Sequence, residues 1–181
     1  MRNEFRLYVG PMFGGKTSRM LSQIDRYKYQ DEQVYLYKPK IDNRYSSAAV
    51  CTHSGINVEA IEVETGADIV WSISDMPSLS PKVIAVDEAF MISGSGESLV
   101  WLFKQGHTIL VSSLQLSSAG EAYEEINHMF PHATHVEVCP AVCPITKKDA
   151  YYTAKVGGRS DHEIEVGGAE MYQPRCWGEY Y

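Results

Sequence analysis

Residues 10–17 read Gly10-Pro11-Met12-Phe13-Gly14-Gly15-Lys16-Thr17, a complete G-x-x-x-x-G-K-[ST] phosphate loop. Upstream, Phe5-Arg6-Leu7-Tyr8-Val9 has the apolar alternation of a strand. Downstream, Thr17 to Gln30 sets Met20, Leu21, Ile24 and Tyr27 on one helical face. A strand, loop and helix in this order turn backbone N–H groups and a helix N-terminus toward an anion. The expected ligand is a nucleoside triphosphate held by residues 10–17. Gly10, Gly14 and Gly15 let the main chain wrap around phosphate oxygens. Lys16 is expected to reach the β and γ phosphates, and the Thr17 hydroxyl to help hold Mg²⁺.

The segments around the loop repeat the same alternation of element types. Gln33–Tyr37, Lys82–Asp87 and His107–Val111 read as strands, the last two as buried parallel ones. Glu97–Lys104 and Glu121–Met129 read as helices. The pattern predicts an α/β fold with a mostly parallel sheet of the phosphate-loop type. After about Val138 the character changes. Pro140 and Pro144 bracket two cysteines, Tyr151–Lys155 is a short strand signal, and paired glycines flank the polar segment 159–163. We therefore expect a phosphate-loop domain over residues 1–137 and a small cysteine-bearing module over 138–181.

A chain of 181 residues is long enough to bury a real core. Its net charge of −7 argues against the backbone of a nucleic-acid polymer as partner, yet leaves room for one small nucleotide in a local electropositive pocket. No apolar run approaches a membrane span, and the N-terminus lacks the apolar stretch of a secretory signal. A cytoplasmic protein with free or metal-bound thiols is expected.

Asp87-Glu88 closes the strand that starts at Lys82. In a phosphate-loop fold, an acid there is placed to bind Mg²⁺, which suits Asp87. Glu88 then has no structural duty, and a carboxylate beside the γ-phosphate can accept the proton of an attacking hydroxyl. The stretch Lys38 to Tyr45 follows the second strand, at the end where α/β sheets bind ligands. Arg44 could neutralise charge on a phosphoryl group and Asp42 orient it; a plain solvated loop fits the spacing equally well.

These segments, with Asp42-Asn43-Arg44-Tyr45, Thr52-His53-Ser54-Gly55, Val86-Asp87-Glu88-Ala89 and Val166-Gly167-Gly168-Ala169-Glu170-Met171-Tyr172, occur in one order along nearly the whole chain. In that order the chain resembles the type II thymidine kinases. The resemblance implies transfer of the ATP γ-phosphoryl group to the 5′-hydroxyl of thymidine, with Glu88 as catalytic base. It implies a C-terminal lasso, here Glu163, Ile164, Glu165, Val166 and Gly167, that holds the thymine largely through backbone groups. Tyr172 matches the lasso tyrosine, and Met91 the position of a residue packed against the base. The resemblance also implies a homo-oligomer, typically a tetramer.

Three departures from the family pattern stand out. Phe90 replaces a usual glutamine. The stretch Gln115–Ala119 lacks the acids, aromatic and arginine of the family's Asp-x-Asp-Phe-Arg-like segment, which raises use of another deoxynucleoside or a modified pyrimidine. The family frame puts zinc-binding pairs at Cys143/Thr146 and Cys176/Glu179, so each pair keeps one cysteine. Cys139 could serve as a third thiolate, with Glu179 or a histidine as fourth ligand; a degenerated site with buried, metal-free thiols is the alternative. A phosphate-loop ATPase without a nucleoside acceptor is the rival from another class.

Overall fold

A strand covered on both faces must be apolar at nearly every position, and Val83-Ile84-Ala85-Val86-Asp87 meets that demand with every residue buried. The structure, a computed structural model, describes residues 3–40, 49–51, 57–157 and 171–180. In chain order its first half forms β1 (Phe5–Val9), α1 (Lys16–Tyr29), β2 (Val34–Pro39), β3 (Ala49–Cys51), β4 (Asn57–Glu59), β5 (Ile61–Val63) and α2 (Gly66–Ser74). Then come β6 (Val83–Asp87), α3 (Ser95–Lys104), β7 (Thr108–Ser113), α4 (Glu124–Met129) and β8 (His135–Val138). The C-terminal part carries β9 (Ala141–Val142), β10 (Asp149–Ala150), β11 (Tyr152–Lys155), β12 (Tyr172–Arg175) and α5 (Trp177–Tyr180).

Six strands form one sheet in the order β5-β2-β6-β7-β1-β8. Every pairing in it is parallel. The alternation of side chains along each strand divides the core between two faces. Phe5, Leu7 and Val9 of β1, Ile84 and Val86 of β6, and Ile109 and Val111 of β7 pack with Ile69 of α2, Leu99 of α3 and Ile126 of α4. Tyr8, Val83, Ala85 and Leu110 pack on the opposite side with Met20, Leu21 and Ile24 of α1. The helical face read from the sequence is thus the one α1 buries.

The α/β class and the parallel sheet agree with the sequence. Several elements lie beyond what periodicity reveals. β5 and β8 are edge strands of only three and four residues, too short for their apolar alternation to stand out. α2 is set by local chemistry: the Thr65 hydroxyl accepts from the Asp68 N–H, and the Asp68 carboxylate accepts from the Thr65 N–H, a capping box. β8 also runs one residue past the 137/138 division, and the Cys139 N–H continues its ladder by donating to the Val9 carbonyl at 2.7 Å.

Beyond β8 the described residues form small antiparallel pairs, β9 with β10 and β11 with β12. α5 follows β12 directly. No helix among the described residues is long and apolar enough to cross a membrane.

Candidate functional site

Parallel strands bring their C-terminal ends to one edge of the sheet, and the crevice there is where such folds bind ligands. Here the ends of β1, β6 and β7 are adjacent, with Val9 opposite Ser113 and Asp87 opposite Ser112. The phosphate loop leaves the first of these strands, Asp87-Glu88 the second, and residues 114–122 the third.

The loop is built on unusual backbone. Gly10 has φ 137°, Phe13 φ 63° and Gly15 φ 74°. Phe13 adopts the left-handed region without being glycine, a strain of the kind that persists where the surroundings enforce it. Its ring packs on a small cluster of Ala141, Cys143 and Ala150. The Met12 N–H donates to the Thr153 hydroxyl of β11 at 3.0 Å, in a buried position. The C-terminal part therefore braces the loop from two sides.

The glycines divide their duties differently from the sequence expectation. A Cβ on Gly10 would lie 2.4 Å from the Cys139 carbonyl oxygen, and one on Gly14 2.5 Å from the same atom. These two glycines admit the backbone of Cys139, not only a phosphate. Gly15 has open space around its Cβ position and starts α1 from its left-handed backbone. The first turn of α1 has no side-chain cap and contains no acidic residue of its own.

Lys16 and Asp87 are both buried. The Lys16 ammonium donates to the Pro11 carbonyl at 2.6 Å, folded against the loop it is expected to serve. The Thr17 hydroxyl donates to Asp87 Oδ1 at 2.9 Å and lies 3.4 Å from Ser112 Oγ. Sequence separation of 70 residues thus collapses into one hydrogen bond. Hard oxygen donors of this kind suit Mg²⁺, so the residues present fit the ion expected from the sequence.

Glu88 sits on the next residue with φ 54° and ψ 43°, again left-handed. It starts a single 3-10 turn, Ala89–Met91, whose Met91 N–H donates to the Glu88 carbonyl at 3.0 Å. The turn redirects the chain at the end of β6. Ser113 holds the turn in place. Its hydroxyl accepts from the Phe90 N–H at 3.1 Å and donates to the Leu114 carbonyl at 2.9 Å.

Phe90 and Met91 are buried in the core beneath this end of the sheet. The Phe90 ring meets Tyr123 with centroids 4.7 Å apart. Tyr123 escapes the sequence reading because it lies beyond the Gln115–Ala119 stretch whose aromatic is missing. A local signal existed: an isolated aromatic just before a helix, in an otherwise polar run.

Tyr172 is buried as the first residue of β12, paired with Lys155. The Met171 carbonyl accepts from the N–H groups of Val156 at 2.7 Å and Gly157 at 3.2 Å, so the two ends of the intervening segment are held together. Asp42 and Arg44, and the lasso residues Glu163, Ile164, Glu165, Val166 and Gly167, lie outside the described residues.

The cysteine trio does not assemble. Cys139 belongs to the core face of α1, where its thiol donates to the Glu137 carbonyl at 3.7 Å, and burial pushes that thiol up. Cys143 and Cys176 pack in the separate cluster with Phe13. Cys139 does not join Cys143 and Cys176 as a third thiolate among the described residues, because its backbone is committed to β1 and the phosphate loop. The Thr146 hydroxyl stands 3.4 Å from Cys176 Sγ. Burial alone would raise the Cys143 thiol, but hydrogen bonds from Thr146 and from the backbone of Cys176 and Ile145 bring it down to about 6. Among the described residues no three His, Cys, Asp or Glu side chains gather as metal ligands. Two thiols and a hydroxyl do not fit a tetrahedral zinc site.

The comparisons with known proteins bear on the same site. The family described as thymidine kinase matches residues 3–180. The thymidine kinase of Thermococcus kodakarensis is 32% identical over 175 residues, covering 93% of this chain and 89% of that protein. A match of this length takes in the phosphate loop, the Asp87-Glu88 strand end and the C-terminal hairpin together, and the chain belongs to the thymidine kinase family.

Proposed function

We propose that the protein transfers the γ-phosphoryl group of ATP to the 5′-hydroxyl of thymidine, giving ADP and dTMP. The observation that carries the reading is the direct hydrogen bond between Thr17, in the first turn of α1, and Asp87 at the end of β6, with Glu88 as the next residue. Family membership supports a nucleoside kinase as the class of phosphotransferase.

The roles follow from position. Backbone N–H groups of residues 10–17 and the start of α1 hold the β and γ phosphates, and Lys16 leaves the Pro11 carbonyl to meet them. Mg²⁺ held by Thr17 and Asp87 would supply charge neutralisation on the transferring group. Glu88 accepts the 5′-hydroxyl proton as the new P–O bond forms and the bond to the β-phosphate oxygen breaks. Arg44 and Asp42 are assigned to the phosphoryl end, in keeping with their place after β2.

Tyr172, Met91 and residues 163–167 are assigned to the nucleoside. The Phe90–Tyr123 ring pair supports an apolar wall on the acceptor side, supplied from outside the Gln115–Ala119 stretch. That substitution of one aromatic source for another keeps a second deoxynucleoside in view as acceptor. A cytoplasmic location and a homo-oligomeric assembly belong to the same proposal.

The test is ATP consumption with Mg²⁺ across a panel of nucleosides. Consumption that depends on thymidine is expected; consumption indifferent to any nucleoside would leave an ATPase. Comparable turnover of deoxycytidine would move the acceptor assignment. Glu88→Ala should lower kcat by about a hundredfold or more, the usual contribution of a positioned base, with ATP binding retained. Full activity in that variant would sink the base assignment.

A further inference from the structure

The loop after β7 is a hydrogen-bonded block tied at both ends. Leu116 and Ala122 form an antiparallel bridge. The Ser117 N–H donates to the Glu121 carbonyl at 2.8 Å, and the Gly120 N–H to the Ser117 carbonyl at 3.1 Å. The Ser117 hydroxyl accepts from the N–H groups of Ala119 at 3.2 Å and Glu121 at 3.1 Å. One end of the block reaches Phe90 through Ser113, and the other through the Tyr123 ring. Phe90 lies two residues from Glu88, so a shift of the block moves the acceptor side.

What holds the tip of this block is remote in sequence. The Tyr180 hydroxyl of α5 donates to the Ser118 carbonyl at 3.3 Å, across 62 residues. A Cβ on Gly120 would lie 3.4 Å from the same hydroxyl, so the tip closes on it. The Tyr180 ring stacks on Tyr152 with centroids 5.0 Å apart and planes 23° from parallel. Trp177 closes the aromatic group at 5.1 Å from Tyr152 and 6.3 Å from Tyr180. Tyr152 opens β11, and its neighbour Thr153 accepts the Met12 N–H of the phosphate loop. One hairpin thus touches the phosphate loop directly and the acceptor-side block through Tyr180.

We infer that Tyr180 is a positioning residue, which tethers the loop 114–122 to the β11–β12 hairpin and so sets the acceptor side of the site relative to the phosphate loop. The inference deepens the kinase reading and rests on it for its consequence, while the tether itself is testable without activity. The ring supplies the stack and the hydroxyl supplies the bond, so Tyr180→Phe removes only the second.

The experiment measures hydrogen exchange of residues 116–121, thermal unfolding and steady-state kinetics in the wild type and in Tyr180→Phe. Loss of one ordinary hydrogen bond should speed exchange of the block by about fivefold and raise the thymidine KM by a similar factor. The ATP KM should hold, and the melting temperature should fall by no more than about 2–4 °C, the worth of one such bond in a chain of this size. Tyr180→Ala, which also removes the stack, should exchange faster still. Unchanged exchange would overturn the tether. Faster exchange with an unchanged thymidine KM would overturn the positioning role, as would a melting temperature that falls further, with both KM values rising together. A wild type that phosphorylates no nucleoside would overturn the kinase reading, and exchange in Tyr180→Phe would then decide the tether alone.

Discussion

Gly10 is the residue on which the site depends most narrowly. Its φ of 137° lies outside the range of other residues, and its Cβ position is occupied by the Cys139 carbonyl, 2.4 Å away. Gly15 shares the left-handed backbone but has room. The two should therefore respond differently to alanine. Gly10→Ala meets both strain and backbone collision, and should destabilise by about 2–4 kcal/mol. Gly15→Ala meets strain alone, about 1–2 kcal/mol. Urea unfolding of both variants checks the order, and a Gly15→Ala variant less stable than Gly10→Ala would contradict it. Cys139 is the partner that makes Gly10 indispensable, and it acts through its main chain. A free cysteine buried as a small apolar group is what its surroundings require.

At the scale of elements, the stretch from β9 to α5 is a brace for the phosphate loop. Phe13 sits on its small apolar cluster, and Thr153 accepts a loop N–H. Its cohesion comes from the Cys143–Thr146–Cys176 hydrogen bonds and the Tyr152–Trp177–Tyr180 rings. Among the described residues no third thiol, imidazole or carboxylate joins Cys143 and Cys176. The purified protein should carry well under one zinc per chain, and a strong chelator should leave its melting temperature unchanged. Stoichiometric zinc, with melting lowered by the chelator, would show that the site is completed by ligands beyond the described residues.

Elements with strong internal periodicity were legible in advance: β1, β2, β6, β7, α1 and α3 lie within a residue or two of their expected bounds. β5 and β8 were not, since three or four residues are too few for an alternation to be told from its surroundings. α4 starts at Glu124, later than the expected Glu121, because residues 115–122 spend their hydrogen bonds on the Leu116–Ala122 bridge and the Ser117 turn.

The whole molecule has a chemical end and a structural end. Thr17, Asp87 and Glu88 lie where the strands finish. At the opposite end, where β6 and β7 begin, the Lys82 N–H donates to His107 Nδ1 at 3.1 Å in a buried position. The Lys82 ammonium there donates to the carbonyls of Ser78 and Ser80. Burial, and then the Lys82 charge, hold the His107 imidazole below its ordinary value of 6.5. Only the neutral ring can accept that N–H. Its contribution is therefore complete above about 6.5, the unfolded value, and is lost as pH falls through the lower folded value. Stability should drop from pH 7 to pH 5 more steeply in the wild type than in His107→Gln. Parallel curves for the two would remove His107 from the account. Activity at pH 8 should be alike in both, since the site is at the other end of the sheet.

The sequence by itself determined the phosphate loop, the buried strands and the acid pair, because each is written in neighbouring residues whose spacing is read directly by backbone geometry. It also carried the family. The tertiary structure decided the rest: that Thr17 meets Asp87, that Gly10 makes way for Cys139, and that Tyr123 packs against Phe90. It also set Cys139 apart from Cys143 and Cys176 and joined Tyr180 to Ser118. Each of these is a contact between segments far apart in the chain, and no local spacing specifies which distant backbone will arrive.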